Sequence, residues 1–347
     1  MEPRRTGDVP LMRLQARDGS WLIRARLDAL PPTLIFHARD KLATTLCRGG
    51  FRLLGALADH AAEAGWGVEV VPYSAEGASL AVAQGGHLHV FMEDRPGYAP
   101  NAFHSVPGYL RGYWYFDEIG SRNNSSHRLR VFDERLVADR FAQKFHARLA
   151  EQFIGANFSK FPQAERGADL PAGCLALFAQ DFKPPRFHRH YLTVPELVEA
   201  AIATKVARAL CIKPHPNNTP EELDWLRARH DPGQGVYVTD ASIHDLLAAC
   251  ACVLTVTSAV GFEAFLHRKP VVLAGQTDFG QNAITLTDPS RLAEAIAAAM
   301  SRDWPHAKFL TWFLRQNCIE DHPRALPIVL ERIRAKGFRI GQDAGFY

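Results

Sequence analysis

From residue 174 to residue 300 the sequence switches repeatedly between short apolar runs and amphipathic stretches opened by helix-start signals, and that rhythm leaves few folds open. Residues 174–179, 209–212, 236–238, 252–256 and 271–274 read as strands buried on both faces, which is how parallel strands look in sequence. The stretches between them begin as helices begin. Thr193-x-x-Glu196 is a capping box, and Thr219-Pro220-Glu221-Glu222 supplies an N-cap, a proline at the first helical position and acids for the positive end of the dipole. Residues 242–251, 261–266 and 289–300 read as further helices. Alternation this regular predicts a doubly wound parallel sheet.

The first half repeats the pattern more loosely. Residues 34–36 read as a strand and 50–64 as a helix with Leu53, Leu54, Leu57, Ala58 and Ala61 on one face, stopped by Gly65-Trp66-Gly67. Residues 68–71 and 87–92 are the next strands, the latter running into Glu93-Asp94-Arg95-Pro96-Gly97. Residues 98–130 are rich in Gly, Pro, Asn, Ser and aromatics and read as a long irregular region of the kind that carries function. A helix over 140–156 and a Pro/Gly connector over 161–173 follow. The stretch 304–337 reads as amphipathic helix with Phe309, Trp312, Phe313 and Leu314 clustered, either packing back on the first domain or anchoring at a membrane interface. At 347 residues the chain accommodates two domains, expected over 1–165 and 172–303, with 304–347 returning to the first.

Composition narrows the classes. With 47% hydrophobic and 22% charged residues the chain is globular, and a net charge of +3 falls short of the dense basic stripe of a nucleic-acid binder. Six scattered cysteines without a Cys-x-x-Cys pair read as reduced core residues and not as zinc ligands. No run of eighteen apolar residues occurs and Met1-Glu2-Pro3-Arg4-Arg5 does not lead into an apolar segment, so the expectation is a cytoplasmic protein.

In open α/β sheets ligands bind at the carboxyl ends of the strands, so the residues that follow each predicted strand are the candidates. His215, stiffened by Pro214 and Pro216 and preceded by Lys213, offers N–H donors and positive charge to a phosphate; a plain His-Pro turn is the bland reading. Thr257 and Ser258 read as a strand exit and N-cap leading to Gly261, so that hydroxyls and free backbone N–H groups face the same place. Glu263, one turn on, reaches ribose hydroxyls or merely complements the helix dipole. Gln276, Gln281 and Asn282 follow the 271–274 strand and are candidates for sugar or base contacts, against a solvated loop. Arg111 and Arg39 each suit a carboxylate, or are surface charges. Glu93 and Asp94 suit a general base, whereas Asp181 suits a nucleophile; the residues alone leave both open.

These residues resemble a family, the bacterial capsule polysaccharide biosynthesis proteins, which include Kdo transferases that use CMP-Kdo. Lys213-Pro214-His215-Pro216 looks like the family's His-Pro motif, and Ser258 to Ala264 with Lys269-Pro270-Val271 looks like its Ser-x-x-Gly-Phe-Glu-Ala and Lys-Pro-Val stretch. Gly108-Tyr109-Leu110-Arg111 and Asn123-Asn124-Ser125-Ser126 resemble its first-domain motifs. Two features depart: Val106-Pro107 stand where an acid often precedes Gly108, and Gln180-Asp181-Phe182-Lys183-Pro184 breaks a Gln-x-x-x-Asp pattern. The resemblance implies a GT-B-like fold of two Rossmann-like doubly wound domains facing a crevice. It implies a glycosyltransferase that moves a Kdo-like acidic sugar from a CMP donor to a lipid or saccharide acceptor. No cofactor is expected, and the lack of an Asp-x-Asp signature agrees with metal independence. Peripheral association with an export complex at the inner membrane is a further expectation, and nucleic acid is not an expected partner. The alternatives are a UDP-sugar transferase or epimerase, and a catalytically silent nucleotide-binding partner of a polysaccharide assembly complex.

Overall fold

A computed structural model describes residues 32–74, 86–94, 96–183 and 189–341. Arg95 and Pro184, both part of motifs read above, lie outside the described residues. The chain divides into two compact units: Met1–Gly108 with Gly112–Ser126 and Cys318–Tyr347, and Tyr109–Arg111 with His127–Asn317.

In the first unit β1 (Thr33–Ala38), β2 (Gly67–Pro72), β3 (Leu88–Phe91) and β4 (Ala102–His104) form a sheet in the order β2-β1-β3-β4, parallel throughout. Side chains alternate across it. Leu34, Phe36, Leu88 and Val90 enter one core with Leu53, Leu54, Leu57, Ala58 and Ala61 of the helix Arg52–Glu63, the apolar face expected from its spacing. The opposite face carries His37 of β1 and His89 of β3, whose rings hydrogen-bond at 3.0 Å, with Phe91 stacked on His37 at 4.5 Å.

Strand β4 lies in the stretch read as irregular, and its three residues are too few to show a period. What orders the rest of that stretch is Asp117. Its carboxylate accepts the backbone N–H groups of Ile119, Gly120 and Ser126 and the Ser126 hydroxyl. β5 (Tyr113–Trp114) pairs antiparallel with Ile319–Glu320. The helix Leu326–Ala335 buries Val329 and Ile333 in the core of this same unit.

The second unit holds β6 (Leu175–Phe178), β7 (Leu210–Lys213), β8 (Val236–Val238), β9 (Cys252–Thr255), β10 (Val271–Leu273) and β11 (Ile284–Thr285). The order is β11-β10-β9-β6-β7-β8, all parallel, which is the Rossmann strand order with its reversal between β6 and β9. Both capping boxes form: Thr193 and Glu196 cap the helix Val194–Thr204, and Thr219 and Glu222 cap Pro220–Arg227. Ile243–Ala249, Ala259–Glu263, Leu292–Ser301 and His306–Thr311 supply further α-helices between and after the strands. The fold is therefore α/β, two units each built on a Rossmann-like parallel sheet. The two-residue β11, absent from the pattern of apolar runs, completes the larger sheet.

Two expectations about the C-terminal part change. The stretch 304–337 is not one helix: His306–Thr311 runs into a wide turn at Trp312–Asn317, then come a short strand, a turn started by Pro323, and the last helix. Phe309, Trp312, Phe313 and Leu314 are buried, and Phe309 and Phe313 pack on Phe265 and Phe262. They belong to the interior of the second unit, neither returning to the first nor facing a membrane. The division at 317/318 and the inclusion of 127–165 in the second unit likewise differ from the expected limits.

Candidate functional site

The carboxyl ends of β6, β7 and β9 are wired together by side chains. Gln180, just past β6, grips Thr257, just past β9, with both ends of its amide: Oε1 accepts the Thr257 N–H at 2.8 Å and Nε2 donates to Thr257 Oγ1 at 3.1 Å. That amide spans the point where the strand order reverses. His190 Nε2 lies 3.2 Å from the same hydroxyl. On the other side Asn218 donates to the Gln180 carbonyl at 3.3 Å and to Glu222 Oε2 at 2.7 Å, and its Oδ1 accepts the His215 N–H at 2.7 Å. Glu222 Oε1 accepts the Phe182 N–H at 2.9 Å, so one capping-box acid also holds the β6 exit.

This wiring fixes His215. The Asn217 N–H donates to its Nδ1 at 3.1 Å, which makes the neutral ring the Nε2–H tautomer, a donor. The edge-on Phe161 ring, 5.1 Å away between centroids, limits how it can turn. Asp181 Oδ1 stands 3.6 Å from Nδ1, yet this is an ion pair only if the ring is protonated. Burial holds the His215 pKa below its ordinary value, with Lys160 adding to the shift and Asp181 and Glu222 opposing it. The tautomer set by Asn217 and the direction of the shift agree, so the neutral donor is the relevant form. Lys213 is partly buried and donates to the Asp240 carbonyl at 3.1 Å; burial lowers its pKa.

The remaining candidates of this unit divide sharply. Ser258 caps the helix Ala259–Glu263, its Oγ accepting the Val260 N–H at 3.3 Å. Thr257 donates its N–H to Gln180, so that N–H is not the free phosphate donor expected from sequence; its hydroxyl accepts from Gln180 and lies beside His190 Nε2. Gly261 is a packing position: a Cβ there would sit 3.3 Å from Thr255 Cγ2 and 3.4 Å from Phe279. Glu263 is buried. Its Oε1 accepts from Ser159 Oγ at 2.9 Å, its Oε2 has no hydrogen-bond partner, and burial pushes its pKa up to about 8, so it offers no exposed carboxylate to a ribose.

Gln281 clamps the neighbouring loop, donating to the Arg130 carbonyl at 2.7 Å and accepting the Phe132 N–H at 2.9 Å. Asn282 is buried against His306 Nδ1 at 2.8 Å. Both are held inside the unit. Gln276 is half-buried, its N–H donating to the Arg189 carbonyl at 2.8 Å. Arg111 is exposed over the Phe158 ring. Asp278, not singled out from the sequence, is buried and accepts from the Tyr109 hydroxyl at 2.7 Å, which ties the Gly-Tyr-Leu-Arg motif to the β10 exit.

In the first unit Arg39 and Glu93, past β1 and β3, form an ion pair at 3.1 Å with the guanidinium exposed. Burial raises the Glu93 pKa, Arg39 opposes the rise and Asp94 adds to it. Asp94 accepts from Ser121 Oγ at 2.9 Å and faces Arg122 at 3.5 Å. Sequence reasoning missed Gln180, Asn218 and Glu222 as organisers of the site. The capping box at Thr219–Glu222, directly after His-Pro, was the one legible signal.

Residues 186–316 match the family model for capsule polysaccharide biosynthesis protein. The matched segment covers less than half of the chain. It runs from β7 through β11 and includes His215, Thr257, Ser258 and Glu263. No curated protein matches the chain by sequence. Among solved structures the chain is similar to KpsC, beta Kdo 2,7 transferase, of Thermosulfurimonas dismutans. The identity is 14%, with 88% of this chain and 99% of that one covered and a TM-score of 0.49. It is similar to Anabaena Alr3699/HepE in complex with UDP-glucose at 14% identity, over 87% and 78% of the two chains, with a TM-score of 0.42. It is also similar to UDP-GlcNAc 2-epimerase of Methanocaldococcus jannaschii at 10% identity, over 83% and 99%, with a TM-score of 0.36.

Proposed function

We propose that this protein is a glycosyltransferase of capsule or surface polysaccharide synthesis, and that it moves a Kdo-like acidic sugar from a CMP donor to a lipid or saccharide acceptor. The observation that carries this reading is His215. A neutral imidazole is presented at a strand's carboxyl end with Nδ1 committed to Asn217, and Nε2–H remains as a donor for the donor phosphate. A pre-set neutral donor hydrogen-bonds a phosphate without first gaining a proton, and it stabilises the charge that builds on the departing CMP. The family match over residues 186–316 and the resemblance of the His-Pro motif support the same assignment.

Among the carboxylates, Glu93 is the candidate general base of an inverting reaction, since burial holds its pKa above the ordinary carboxylate value. Asp94 stands beside it, held by Ser121. Asp181, half-exposed and 3.6 Å from His215, is the candidate nucleophile of a retaining one. Arg39 and Arg111, both exposed, are the candidate clamps for sugar carboxylates.

Thermal stabilisation by CMP, UDP, GDP and ADP, measured side by side, tests the donor. A shift selective for CMP is expected; a shift with UDP instead supports a UDP-sugar transferase or epimerase, and no shift with any nucleotide overturns the assignment. His215→Ala should weaken CMP binding by about 1.5–3 kcal/mol if the imidazole donates to a charged phosphate. Isothermal titration of the folded variant reads this directly, and unchanged affinity removes the central contact.

A further inference from the structure

Half of the large apolar side chains most exposed among the described residues crowd into one short stretch. Leu129, Val131, Leu136 and Phe141 are 65%, 84%, 79% and 51% exposed, and only four others reach that class elsewhere. The stretch is not loose. Arg130 donates to Asn317 at 2.8 Å, Phe132 packs edge-on against Phe309 and is held by Gln281, and Val137 is buried. With 130, 132 and 137 fastened to the second unit, the apolar side chains beside them are held out in water.

The helix that follows, Asp139–Ala150, continues the same surface. Ala142, Phe145, His146 and Leu149 face inward at helical spacing. Arg140, Lys144 and Arg148 recur every fourth residue on the outer side, next to the exposed Phe141. Over residues 128–148 six basic and three acidic side chains leave +3, which equals the net charge of the whole chain. One of those acids, Asp133, is already paired with Arg135.

Exposed aliphatic and aromatic groups interleaved with cations are the chemistry of a surface that rests on a lipid leaflet: the apolar groups enter the acyl boundary and the cations meet anionic headgroups. No helix among the described residues is long and apolar enough to cross a membrane, so the contact lies on the bilayer. We propose that residues 128–148 dock the second unit onto a membrane leaflet bearing anionic phospholipid. The proposal does not depend on which nucleotide sugar the protein uses.

Co-sedimentation of the full chain with vesicles of phosphatidylcholine, with and without phosphatidylglycerol, tests it. Binding is expected only with phosphatidylglycerol and should weaken as salt is raised. A Val131→Asp, Leu136→Asp, Phe141→Asp variant should bind at least about tenfold more weakly. An Arg128→Gln, Arg140→Gln, Lys144→Gln variant should lose about fivefold for each charge removed. All six side chains are exposed, so melting temperature and nucleotide-induced stabilisation should be unchanged, and the charge variant reads the same surface if the apolar one misfolds. Equal binding with and without anionic lipid, no binding at all, or wild-type self-association abolished by the apolar variant each overturns the proposal, the last by assigning the surface to a second copy of the chain.

Discussion

The two parallel sheets of this protein treat their strand exits in opposite ways. In the second unit the exits of β6, β7 and β9 are locked by partly buried amide and carboxylate contacts, Gln180 to Thr257 and Asn218 to His215, Gln180 and Glu222. In the first unit the exits of β1 and β3 meet through the solvent-facing Arg39–Glu93 pair, while the buried polar contact, His37 to His89, lies on the face of the sheet. Buried networks hold geometry because leaving one partner unsatisfied is costly, whereas an exposed ion pair is screened and weak. The second unit is thus built to hold its strand exits, His215 among them, in one fixed pose.

The largest expected effect strikes that lock through backbone. Gly275→Ala would put a Cβ 2.5 Å from Thr257 Cγ2 and 3.0 Å and 3.1 Å from the carbonyls of Arg189 and Val256, and two of those three neighbours are main chain. A loss of about 3 kcal/mol is expected by urea denaturation; a neutral result would mean that the β10 exit is softer than the contrast requires. Gln180→Ala should cost about 1–3 kcal/mol by stranding the Thr257 N–H. It should also weaken nucleotide binding, which Gly-to-Ala changes far from the switch point should not do.

A pH titration of stability sharpens the comparison next. Glu263 keeps its proton in the folded state up to about 8, whereas an ordinary carboxyl has lost it above 4.5. Between those values the folded state binds more protons, so its contribution to stability falls as pH rises through that window. His267 and His306 work in the other direction: burial pushes each down to about 3 from 6.5, so stability is lost as pH falls through that range. Glu263→Gln should flatten the alkaline side of the thermal-stability profile and leave the acid side in place. The smallest effect belongs to the first unit: Arg39→Gln should change stability by less than about 1 kcal/mol, with salt already masking most of it. A larger loss would show that the first unit's exits are also preorganised.

The sequence made the larger sheet legible because every layer of signal agreed there. Apolar runs, two capping boxes and Pro at the first helical turn all pointed to the same alternation, and both boxes form. The helix Arg52–Glu63 was legible down to its five buried side chains. β4 and β11, with three and two residues, were not, since a strand that short has no period to read. The candidate site was legible as a set of strand exits and not as a set of roles. Gln281 and Asn282 look like ligand contacts in a polar turn, and they serve a loop and a buried histidine because those partners, 149 and 24 residues away in sequence, arrive only on folding.

Local pattern alone therefore determined which segments become strands and helices, where the caps lie, and that His215 stands at a strand's end. Only tertiary structure decided which of those exits touch. Glu263 is a buried, protonated acid because packing desolvates it, with the hydrogen bond from Ser159 pulling the other way, and whether Thr257 offers its N–H to a ligand depends on Gln180. Those partners are 104 and 77 residues distant in the chain. Propensity and hydrophobic period act over a few residues, whereas burial and hydrogen-bond partnership are set by the packed whole.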